Sequence, residues 1–393
     1  MKVLFISRLY PNELNPRNGA VIHNQAKELV KNGIDVEVIS PTPYVPKLIK
    51  NKRKKWNEYY SLPKKQIYDG IKVWYPRFLD LPFKRFDLYR GKAIINAVRK
   101  MVDQVYRTFP FDLIHAHMAY PDNSLGVYLK EKYNVPLVTT IRSTDMDISL
   151  KIKGLENSIN QSLDETDLIV SPSPQLSVKL FNNFKLDSIH IGNGIYPQLT
   201  NQDEGFTKTR EFNGKEIILS ISNLIKSKGI QYNILAMNEL IKENPALIYL
   251  IIGEGPYRKE LEEQVKELDL RQAVFFLGEL SHRDAMNYLS VCDVFSMPSF
   301  RETFGLVYLE AMYHKKPIVL CEGQGVDGVV KDNESAMIVP PNSVNSIVKS
   351  IQALLNNNQL REKMIDNGYK IVHENYTWNE IGKRLKKEYM KLL

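Results

Sequence analysis

Cysteine is scarce in this sequence, and long apolar runs are absent. Only two of the 393 residues are cysteines, Cys292 and Cys321, too few for a zinc site or a disulfide framework. Each adjoins a predicted buried strand, so we interpret both as small core residues in a reducing cytosol. No stretch reaches the ~18 apolar residues of a transmembrane helix, and the sequence does not begin with a secretory signal pattern. These absences predict a cytoplasmic protein, soluble or peripheral on the inner face of the cell membrane.

Several catalytic signatures are missing as well. The first predicted strand, Val3–Ser7, is not followed by the G-x-G-x-x-G of a nicotinamide-binding domain, which argues against a dehydrogenase. No serine–histidine–acid set, multi-ligand metal cluster or glycosidase-like carboxylate pair is evident. We therefore expect neither a cofactor nor a bound metal.

The order of apolar segments predicts an α/β fold. Short β-branched runs alternate with amphipathic helical patterns in both halves of the chain. The predicted strands are Val3–Ser7, Asp35–Ser40, Ile71–Tyr75, Leu113–His117, Leu137–Ile141, Leu168–Ser171, Ile217–Ser222, Leu247–Ile252, Val274–Leu277, Val294–Met297, Pro317–Leu320 and Ala336–Val339. The predicted helices include Ala20–Lys31, Leu88–Phe109, Ile230–Lys242, Tyr257–Leu268, Asp284–Leu289 and Phe304–Tyr313. Such alternation predicts two doubly wound, Rossmann-like domains with parallel sheets covered on both faces.

A polar stretch separates the two halves. Residues 201–205 read N-Q-D-E-G, a composition typical of a hinge. We predict an N-terminal domain over residues 1–195, a linker over 196–214 and a C-terminal domain over 215–376. Ligands of doubly wound sheets bind beyond the carboxyl ends of the strands, so we expect a cleft between two such domains.

The segment Ser296–Met312, S-M-P-S-F-R-E-T-F-G-L-V-Y-L-E-A-M, carries two acidic residues, Glu302 and Glu310. A predicted strand ends near Met297, and we expect a helix to begin near Thr303. Glu310 would then lie where it can accept hydrogen bonds from a ribose diol, and Glu302 where it can meet sugar hydroxyls. The alternative is a capping box in which a serine three residues before Glu302 caps the helix and Glu310 is solvated.

The start of this predicted helix has the features of a phosphate site. The backbone N–H groups of Phe304, Gly305 and Leu306 are expected to lie free there, because the first turn of a helix has no internal partners. Gly305 has no side chain to block close approach. A phosphate would bind these amides, and the helix dipole would add attraction.

The whole segment resembles the E-x7-E signature of retaining glycosyltransferases with the two-domain GT-B fold, specifically glycosyltransferase family 4. Residues 251–256 read I-I-G-E-G-P, like that family's apolar strand followed by G-x-G-P. Residues 276–278 (F-L-G) and 292–294 (C-D-V) resemble its next two blocks. The resemblance covers nearly the whole chain. It implies that Glu310 binds the nucleotide ribose and Glu302 the donor sugar.

The resemblance also assigns the donor phosphates. Similar enzymes carry G-R-L-x-x-x-K-G after the first strand of the C-terminal domain, whereas this chain has Ser222-Asn223 in place of Gly-Arg and keeps Lys228. Lys228 would stabilise the diphosphate as it leaves, with Asn223 in the arginine's place and Lys226 able to substitute for the missing charge. Near the N-terminus, the family usually has two glycines whose backbone approaches the donor phosphates, and this chain has only Gly19. The alternative is that Gly19 is an ordinary flexible-loop glycine.

The predicted strand Leu113–His117 ends in H-A-H. Alternation puts His115 and His117 on the same side of the strand. The resemblance implies that His117, at the carboxyl edge, reaches the donor sugar near the reacting carbon, and we expect His115 to pack within the sheet. A purely structural His117 is the alternative.

Two residues after the next strand are predicted on the acceptor side, Arg142 and Asp145. Many relatives have His-Gly where Arg142-Ser143 stands, so Arg142 would face the cleft and hold a charged or hydroxyl-rich acceptor. Asp145-Met146-Asp147 spells D-x-D, which binds metal in a different glycosyltransferase fold. That context is absent here, so we expect no metal.

Residues 46–65 are basic and aromatic. Eight lysines and arginines stand against one acid, Glu58, with Trp56, Tyr59 and Tyr60 between them, and Phe83–Phe86 continue the pattern. This composition favours reversible contact with an anionic membrane surface; the alternative is a solvated loop. No nucleic-acid-binding pattern accompanies the charge, so we expect no nucleic-acid partner.

These observations together predict a retaining, metal-independent, hexosyl-type glycosyltransferase. It would move sugar from a UDP- or GDP-linked donor to a saccharide or lipid-linked acceptor in cell-envelope polysaccharide synthesis, of the teichuronic-acid-like bacterial or archaeal type. By the same resemblance, a C-terminal helix at 377–393 would cross back onto the N-terminal domain. The alternatives are a sugar-nucleotide epimerase or hydrolase of the same fold, and a non-catalytic saccharide- or membrane-binding protein.

Overall fold

The computed structural model describes residues 1–80, 84–147, 149–199 and 212–393. The chain forms two units. The N-terminal unit comprises Met1–Pro172, Leu176–Gly192 and Ile381–Leu393, and the C-terminal unit comprises Ser173–Gln175 and Asn193–Glu380. Most of the predicted linker, residues 200–211, lies outside the described residues, and so does Phe83.

The N-terminal unit is built on a large, almost wholly parallel sheet. Its described strands are β1 Lys2–Ile6, β2 Asp35–Ile39, β3 Thr42–Pro43, β4 Lys65–Tyr68, β5 Ile71–Trp74, β6 Arg77–Phe78, β7 Leu113–His117, β8 Leu137–Thr140, β9 Leu168–Ser171 and β10 Ile189–His190. The large sheet has the order β10-β9-β8-β7-β1-β2-β5-β4, and β3 pairs separately with β6. Only β4 and β5 pair antiparallel among these described strands. The strand order reverses between β1 and β7, and such a switch point opens a crevice at the carboxyl ends of the strands.

Helices cover both faces of this sheet. They are α1 Ala20–Lys31, α2 Lys54–Ser61, α3 Arg90–Val98, α4 Val102–Thr108, α5 Asp122–Tyr133, α6 Ser143–Asp147, α7 Leu155–Asp164 and α8 Pro174–Phe184. The single helix expected over Leu88–Phe109 is wrong, because a turn at residues 99–101 divides it. The buried residues Ile94, Val98 and Val102 keep helical spacing across the turn, so the apolar pattern does not reveal the break.

The C-terminal unit repeats the plan with a six-stranded parallel sheet in its described part. Its strands are β11 Glu216–Ile221, β12 Leu247–Ile252, β13 Val274–Gly278, β14 Val294–Met297, β15 Ile318–Cys321 and β16 Met337–Val339, in the order β13-β12-β11-β14-β15-β16. Its helices are α9 Ile230–Glu243, α10 Arg258–Glu267, α11 His282–Val291, α12 Leu306–Tyr313, α13 Val344–Asn356, α14 Asn358–Asn375 and α15 Trp378–Met390. The last of these continues into the N-terminal unit. Here the order reverses between β11 and β14.

The apolar strands explain why both units fold this way. All six residues of β12 are buried, because helices such as α9 and α13 pack over the sheet, with Ile234 and Ile351 fully buried in the core cluster. In a strand that is buried on both faces, burial of each large aliphatic side chain stabilises the folded state by roughly 1.5–3 kcal/mol. The prediction of two doubly wound, parallel-sheet units is confirmed. Among the described residues, no helix is both long and apolar enough to cross a bilayer.

Candidate functional site

The switch point of the C-terminal unit brings together the loops that follow β11 and β14. Gly229 lies so close to the second loop that a Cβ on it would fall 2.2 Å from the carbonyl oxygen of Pro298. The Phe300 N–H donates to the carbonyl of Ser227 at 3.0 Å, and the Ser299 hydroxyl donates to the same carbonyl at 3.0 Å. The two loops are therefore joined backbone to backbone, and their side chains share one site.

Lys228 and Glu302 meet across these loops. The ammonium nitrogen of Lys228 lies 2.5 Å from Glu302 Oε2, and the two side chains are only 17% and 14% exposed. The other carboxylate oxygen accepts from the Thr303 N–H at 3.0 Å, and the Glu302 N–H donates to Gln324 Oε1 at 3.0 Å. This arrangement excludes the capping box, because Glu302 donates to Gln324 and not to Ser299.

The helix of the E-x7-E segment begins later than the sequence predicts. α12 starts at Leu306, and Gly305 precedes it with φ 75° and ψ 75°, so the expected start near Thr303 is wrong. A side chain at 305 would be strained at this φ, and a Cβ there would lie 2.6 Å from the ring of Tyr308. The chain thus turns sharply at Gly305, where a regular apolar pattern suggested continuous helix.

Of the three residues whose N–H groups were predicted to bind phosphate, Gly305 and Leu306 differ from Phe304. The backbone N–H groups of Gly305 and Leu306 have no hydrogen-bond partner among the residues that the structure describes. Phe304 is buried, and its ring centroid lies 5.8 Å from that of Tyr376, so its side chain belongs to the core. The start of α12 can therefore offer the N–H groups of Gly305 and Leu306 to an anion.

Glu310 has a partner that the sequence did not reveal. His282, the first residue of α11, places Nε2 2.8 Å from Glu310 Oε1. The Glu310 side chain is 15% exposed and that of His282 is 53% exposed. The hydrogen bond to Glu310 raises the pKa of His282. One carboxylate oxygen of Glu310 therefore carries a partner, and the opposite oxygen remains for a ligand.

Asn223 occupies the place of the family's arginine. It is exposed in the loop after β11, and its carbonyl accepts from the Ile225 N–H at 3.0 Å. Its side-chain amide has no hydrogen-bond partner within the described residues. The amide can donate to a ligand oxygen, but it brings no charge.

In the N-terminal unit, Gly19 stands at the start of α1. Its φ is 72°, and a Cβ there would lie 1.9 Å from the carbonyl oxygen of Leu9. The loop after β1 thus passes directly over the helix start, which only glycine permits. These contacts favour a steric requirement for Gly19 over the reading as a flexible-loop glycine, and its approach to donor phosphates stays a prediction.

His117 ends β7 at the switch point of the N-terminal sheet. The side chain is fully buried, and burial, the adjacent His115 and then Arg142 lower its pKa well below 6.5. Arg142 lies 3.4 Å from Nδ1, and a guanidinium can only donate. The neutral ring therefore accepts at Nδ1 and carries its proton on Nε2, which has no hydrogen-bond partner in the described chain. A buried, unpartnered donor is costly and is what a ligand-binding histidine would present.

The residues predicted on the acceptor side lie beside His117. Burial lowers the pKa of Arg142 to about 10, and its guanidinium donates to Nδ1 of His117. Asp145 is fully buried, and its carboxylate accepts from the N–H groups of Ala119 at 3.0 Å and Arg142 at 2.8 Å. Asp145 therefore fastens the loops after β7 and β8 together. Contact of Arg142 or Asp145 with an acceptor stays a prediction. The hydrogen bonds from backbone N–H groups to the Asp145 carboxylate do not favour this contact for Asp145.

The D-x-D spelling does not gather metal ligands. Asp147 pairs with Lys179, 2.7 Å from its ammonium nitrogen, whereas Asp145 faces backbone amides. Within the described ranges, no group of three or more histidine, cysteine or acidic side chains is placed to hold a metal ion.

Two family models match the chain. Glycosyltransferase Family 4 matches residues 19–199, and Glycosyl transferases group 1 matches residues 201–371. The first model covers the switch point with Gly19 and His117, and the second covers the loops with Lys228, Glu302 and Glu310.

The chain is similar in sequence to other proteins over most of its length. The putative teichuronic acid biosynthesis glycosyltransferase TuaC of Bacillus subtilis is 23% identical over 99% of this chain and 98% of its own. The alpha-monoglucosyldiacylglycerol synthase of Streptococcus pneumoniae is 22% identical over 73% of this chain and 68% of its own.

Solved structures share the fold. HepE of Anabaena in complex with UDP superposes with a TM-score of 0.74 at 17% identity, covering 100% of both chains. Sucrose-phosphate synthase of Thermosynechococcus elongatus gives a TM-score of 0.74 at 18% identity, covering 100% of this chain and 98% of its own. The fold is GT-B, and with both family models matched, this chain belongs to glycosyltransferase family 4.

Proposed function

We propose that this glycosyltransferase moves a hexosyl residue, with retention, from a nucleotide-diphosphate sugar to a saccharide or lipid-linked acceptor in cell-envelope polysaccharide synthesis. One observation carries the proposal. Lys228, Glu302 and the N–H groups of Gly305 and Leu306 converge at the switch point of the C-terminal unit, with Glu310 one helical turn beyond Leu306.

The C-terminal unit binds the nucleotide. The diphosphate accepts from the N–H groups at the start of α12 and from Lys228, while Asn223 donates an additional hydrogen bond. The ribose diol donates to Glu310, whose second oxygen is held by His282. Uridine and guanosine diphosphates satisfy this arrangement equally, because it recognises the ribose and the phosphates and not the base.

Bond breaking places negative charge on the departing diphosphate. The Lys228 cation and the helix start stabilise that charge where it develops, so a protein cation fills the place of a metal ion. Glu302 binds sugar hydroxyls, and His117 donates from Nε2 to the sugar. The leaving phosphate accepts the acceptor's proton, because the site offers no other evident base.

The names of similar proteins support the acceptor class. TuaC is named for teichuronic acid biosynthesis, and the Streptococcus protein for synthesis of a glycolipid. HepE has been solved with UDP and with UDP-glucose. We therefore propose a cytoplasmic enzyme that uses a UDP- or GDP-linked donor and an envelope saccharide or lipid-linked acceptor.

A surface of the N-terminal unit suits such an acceptor. We name the residues 46–65 the basic segment; it contains a 3-10 helix at Lys47–Lys52 and helix α2. Leu48 is 95% exposed, the Arg53 guanidinium lies 5.0 Å from the Trp56 ring, and the Lys50 ammonium lies 4.5 Å from the Tyr60 ring. Exposed cations backed by aromatic rings fit anionic lipid headgroups, so we propose reversible docking on an anionic membrane through the basic segment.

The experiment is a panel of nucleotide sugars tested by thermal shift, followed by turnover with and without acceptor. A true donor raises the melting temperature; ligand at ~100 times its Kd adds ~2.7 kcal/mol of stability. Sugar transfer must depend on an added acceptor. Donor turnover without acceptor would support the epimerase or hydrolase alternative, and no stabilisation by any nucleotide would support a non-catalytic protein.

A further inference from the structure

Two buried histidines stack at the carboxyl end of β7. The ring centroids of His115 and His117 lie 4.1 Å apart with an interplanar angle of 28°. Phe5 packs beside His117, with ring centroids 4.6 Å apart. Within the described residues, the ring of His117 makes one hydrogen bond, the long one from Arg142 at 3.4 Å. The orientation of His117 therefore depends chiefly on the rings against which it packs.

His115 is held at both of its ring nitrogens. Tyr389 Oη lies 2.5 Å from Nδ1, and Thr140 Oγ1 lies 2.7 Å from Nε2. Burial lowers the pKa of His115 to about 3, so the ring is neutral and needs one donor and one acceptor. A hydroxyl can serve as either, and the two hydroxyls together fix the position of the ring.

Tyr389 comes from a distant part of the chain. It lies on α15, which follows the whole C-terminal sheet, and it is fully buried. Burial raises the pKa of its phenol well above 10, so the hydroxyl keeps its proton. Its ring meets His115 edge-on, with centroids 5.8 Å apart at 85°.

We propose that Tyr389 is a positioning residue for His117: its hydroxyl fixes the His115 ring, and that ring supports His117 with Nε2 left to a ligand. The inference rests on the proposed function only for the part that His117 plays with the donor sugar. In this proposal, α15 helps to position a residue of the donor site, because it carries Tyr389.

The test uses the full chain labelled with 15N-histidine, and reads the ring nitrogens by NMR. His117→Gln assigns the His117 signals. Tyr389→Phe keeps the aromatic ring and removes only the hydroxyl; we expect shifted or broadened signals from both His115 and His117. Tyr133→Phe is the matched control, since it removes a hydroxyl that donates to Asp103 at 2.6 Å, and it should leave both histidines unchanged. Unchanged His117 signals in Tyr389→Phe would overturn the proposal.

A second variant guards against misfolding of Tyr389→Phe. Thr140→Val removes the other hydroxyl on His115 without altering α15, and the same His117 signals should respond. An effect of Thr140→Val on His115 with none on His117 would again count against the proposal.

Turnover separates this inference from the proposed function. With UDP release from UDP-glucose in the presence of an acceptor that supports transfer as the probe, Tyr389→Phe should lower kcat about tenfold or more through misplacement of His117, with KM changed by less than about twofold. Loss of turnover in His117→Gln but not in Tyr389→Phe would refute the positioning role alone. Unchanged turnover in His117→Gln would refute the role of His117 in the proposed function, while the NMR signals still decide the positioning.

Discussion

The ammonium group of Lys228 lies 2.5 Å from Glu302 Oε2, at the point where the loops after β11 and β14 meet. Both side chains are mostly buried. An ammonium has more than one N–H donor, so Lys228 can hold Glu302 and a phosphate at once. The pair thus links Lys228, the predicted phosphate contact, to Glu302, the predicted sugar contact. A substitution of one residue should therefore change the position of the other side chain.

Replacing Lys228 should weaken binding of phosphates selectively. Lys228→Gln removes the cation, so we expect UDP affinity to fall roughly 10- to 100-fold, as for a lost hydrogen bond between charged groups worth ~1.5–3 kcal/mol. Uridine, which has no phosphate, should bind the variant as it binds the parent. Isothermal titration calorimetry measures both. Lys242→Gln is the control, since that side chain is 61% exposed on α9; equal losses for UDP and uridine in Lys228→Gln would contradict the assignment.

The His282–Glu310 contact predicts a pH dependence of stability. The folded-state pKa of His282 is raised by Glu310, so its contribution is fully present below the unfolded pKa near 6.5 and is lost as pH rises through the folded pKa. The melting temperature of the parent should therefore exceed that of His282→Gln most at acidic pH. The effect is less than about 1 kcal/mol, because the imidazole is half exposed and screened by solvent. A gap between the two melting curves that widens as pH rises would oppose this account.

Gly19 and Gly33 form a matched pair for backbone effects. Both have positive φ, 72° and 79°, but a Cβ at 33 meets nothing within 4 Å, whereas one at 19 meets the carbonyl oxygen of Leu9. Gly33→Ala should cost about 1–2 kcal/mol from the left-handed conformation alone. Gly19→Ala should cost more, because the loop after β1 must shift. Urea unfolding monitored by circular dichroism compares them, and equal losses would show that the close contact is relieved without cost.

The basic segment predicts binding to anionic vesicles. Lys52, Lys54 and Lys55 are exposed, and replacing all three by alanine should weaken binding by ~3 kcal/mol, on the order of a hundredfold, at ~1 kcal/mol per basic residue. Flotation with phosphatidylcholine vesicles, with and without phosphatidylglycerol, measures the change.

A matched triple variant controls for the loss of charge. Lys242, Lys259 and Lys266 are exposed on the C-terminal unit, and their replacement by alanine should leave flotation unchanged. Equal losses from both triple variants would show that net charge, and not the basic segment, governs binding.

The sheets could be predicted because their strands carry strong local signals. The run L-I-Y-L-I-I became β12 with the same bounds, and L-I-H-A-H became β7. Strand β3, Thr42–Pro43, is too short to show a pattern, and β4 was missed because its residues are exposed or half-buried. Local sequence reports burial, and β4, at the edge of the large sheet, has little of it.

Residues of the candidate site could be predicted from the sequence where they lie in one segment. Residues that come from distant segments could not be predicted. Glu302 and Glu310 stand in a single motif, and the resemblance assigned them roles. The partners of these glutamates, Gln324 in a later loop and His282 at the start of α11, lie 22 and 28 residues away. Tyr389 lies 274 residues from His115. No periodicity encodes such contacts, because the tertiary fold alone brings these side chains together.

The central claim is that the start of α12 and Glu310 bind a nucleoside diphosphate, and the most direct measurement is calorimetric titration of UDP and GDP into the parent and Glu310→Gln. The substitution keeps the shape and removes the charge that accepts from the ribose, so whichever nucleotide binds should lose roughly 10- to 100-fold in affinity. Glu239→Gln, at a side chain 54% exposed, should bind like the parent. Parent-like affinity in Glu310→Gln would contradict the account.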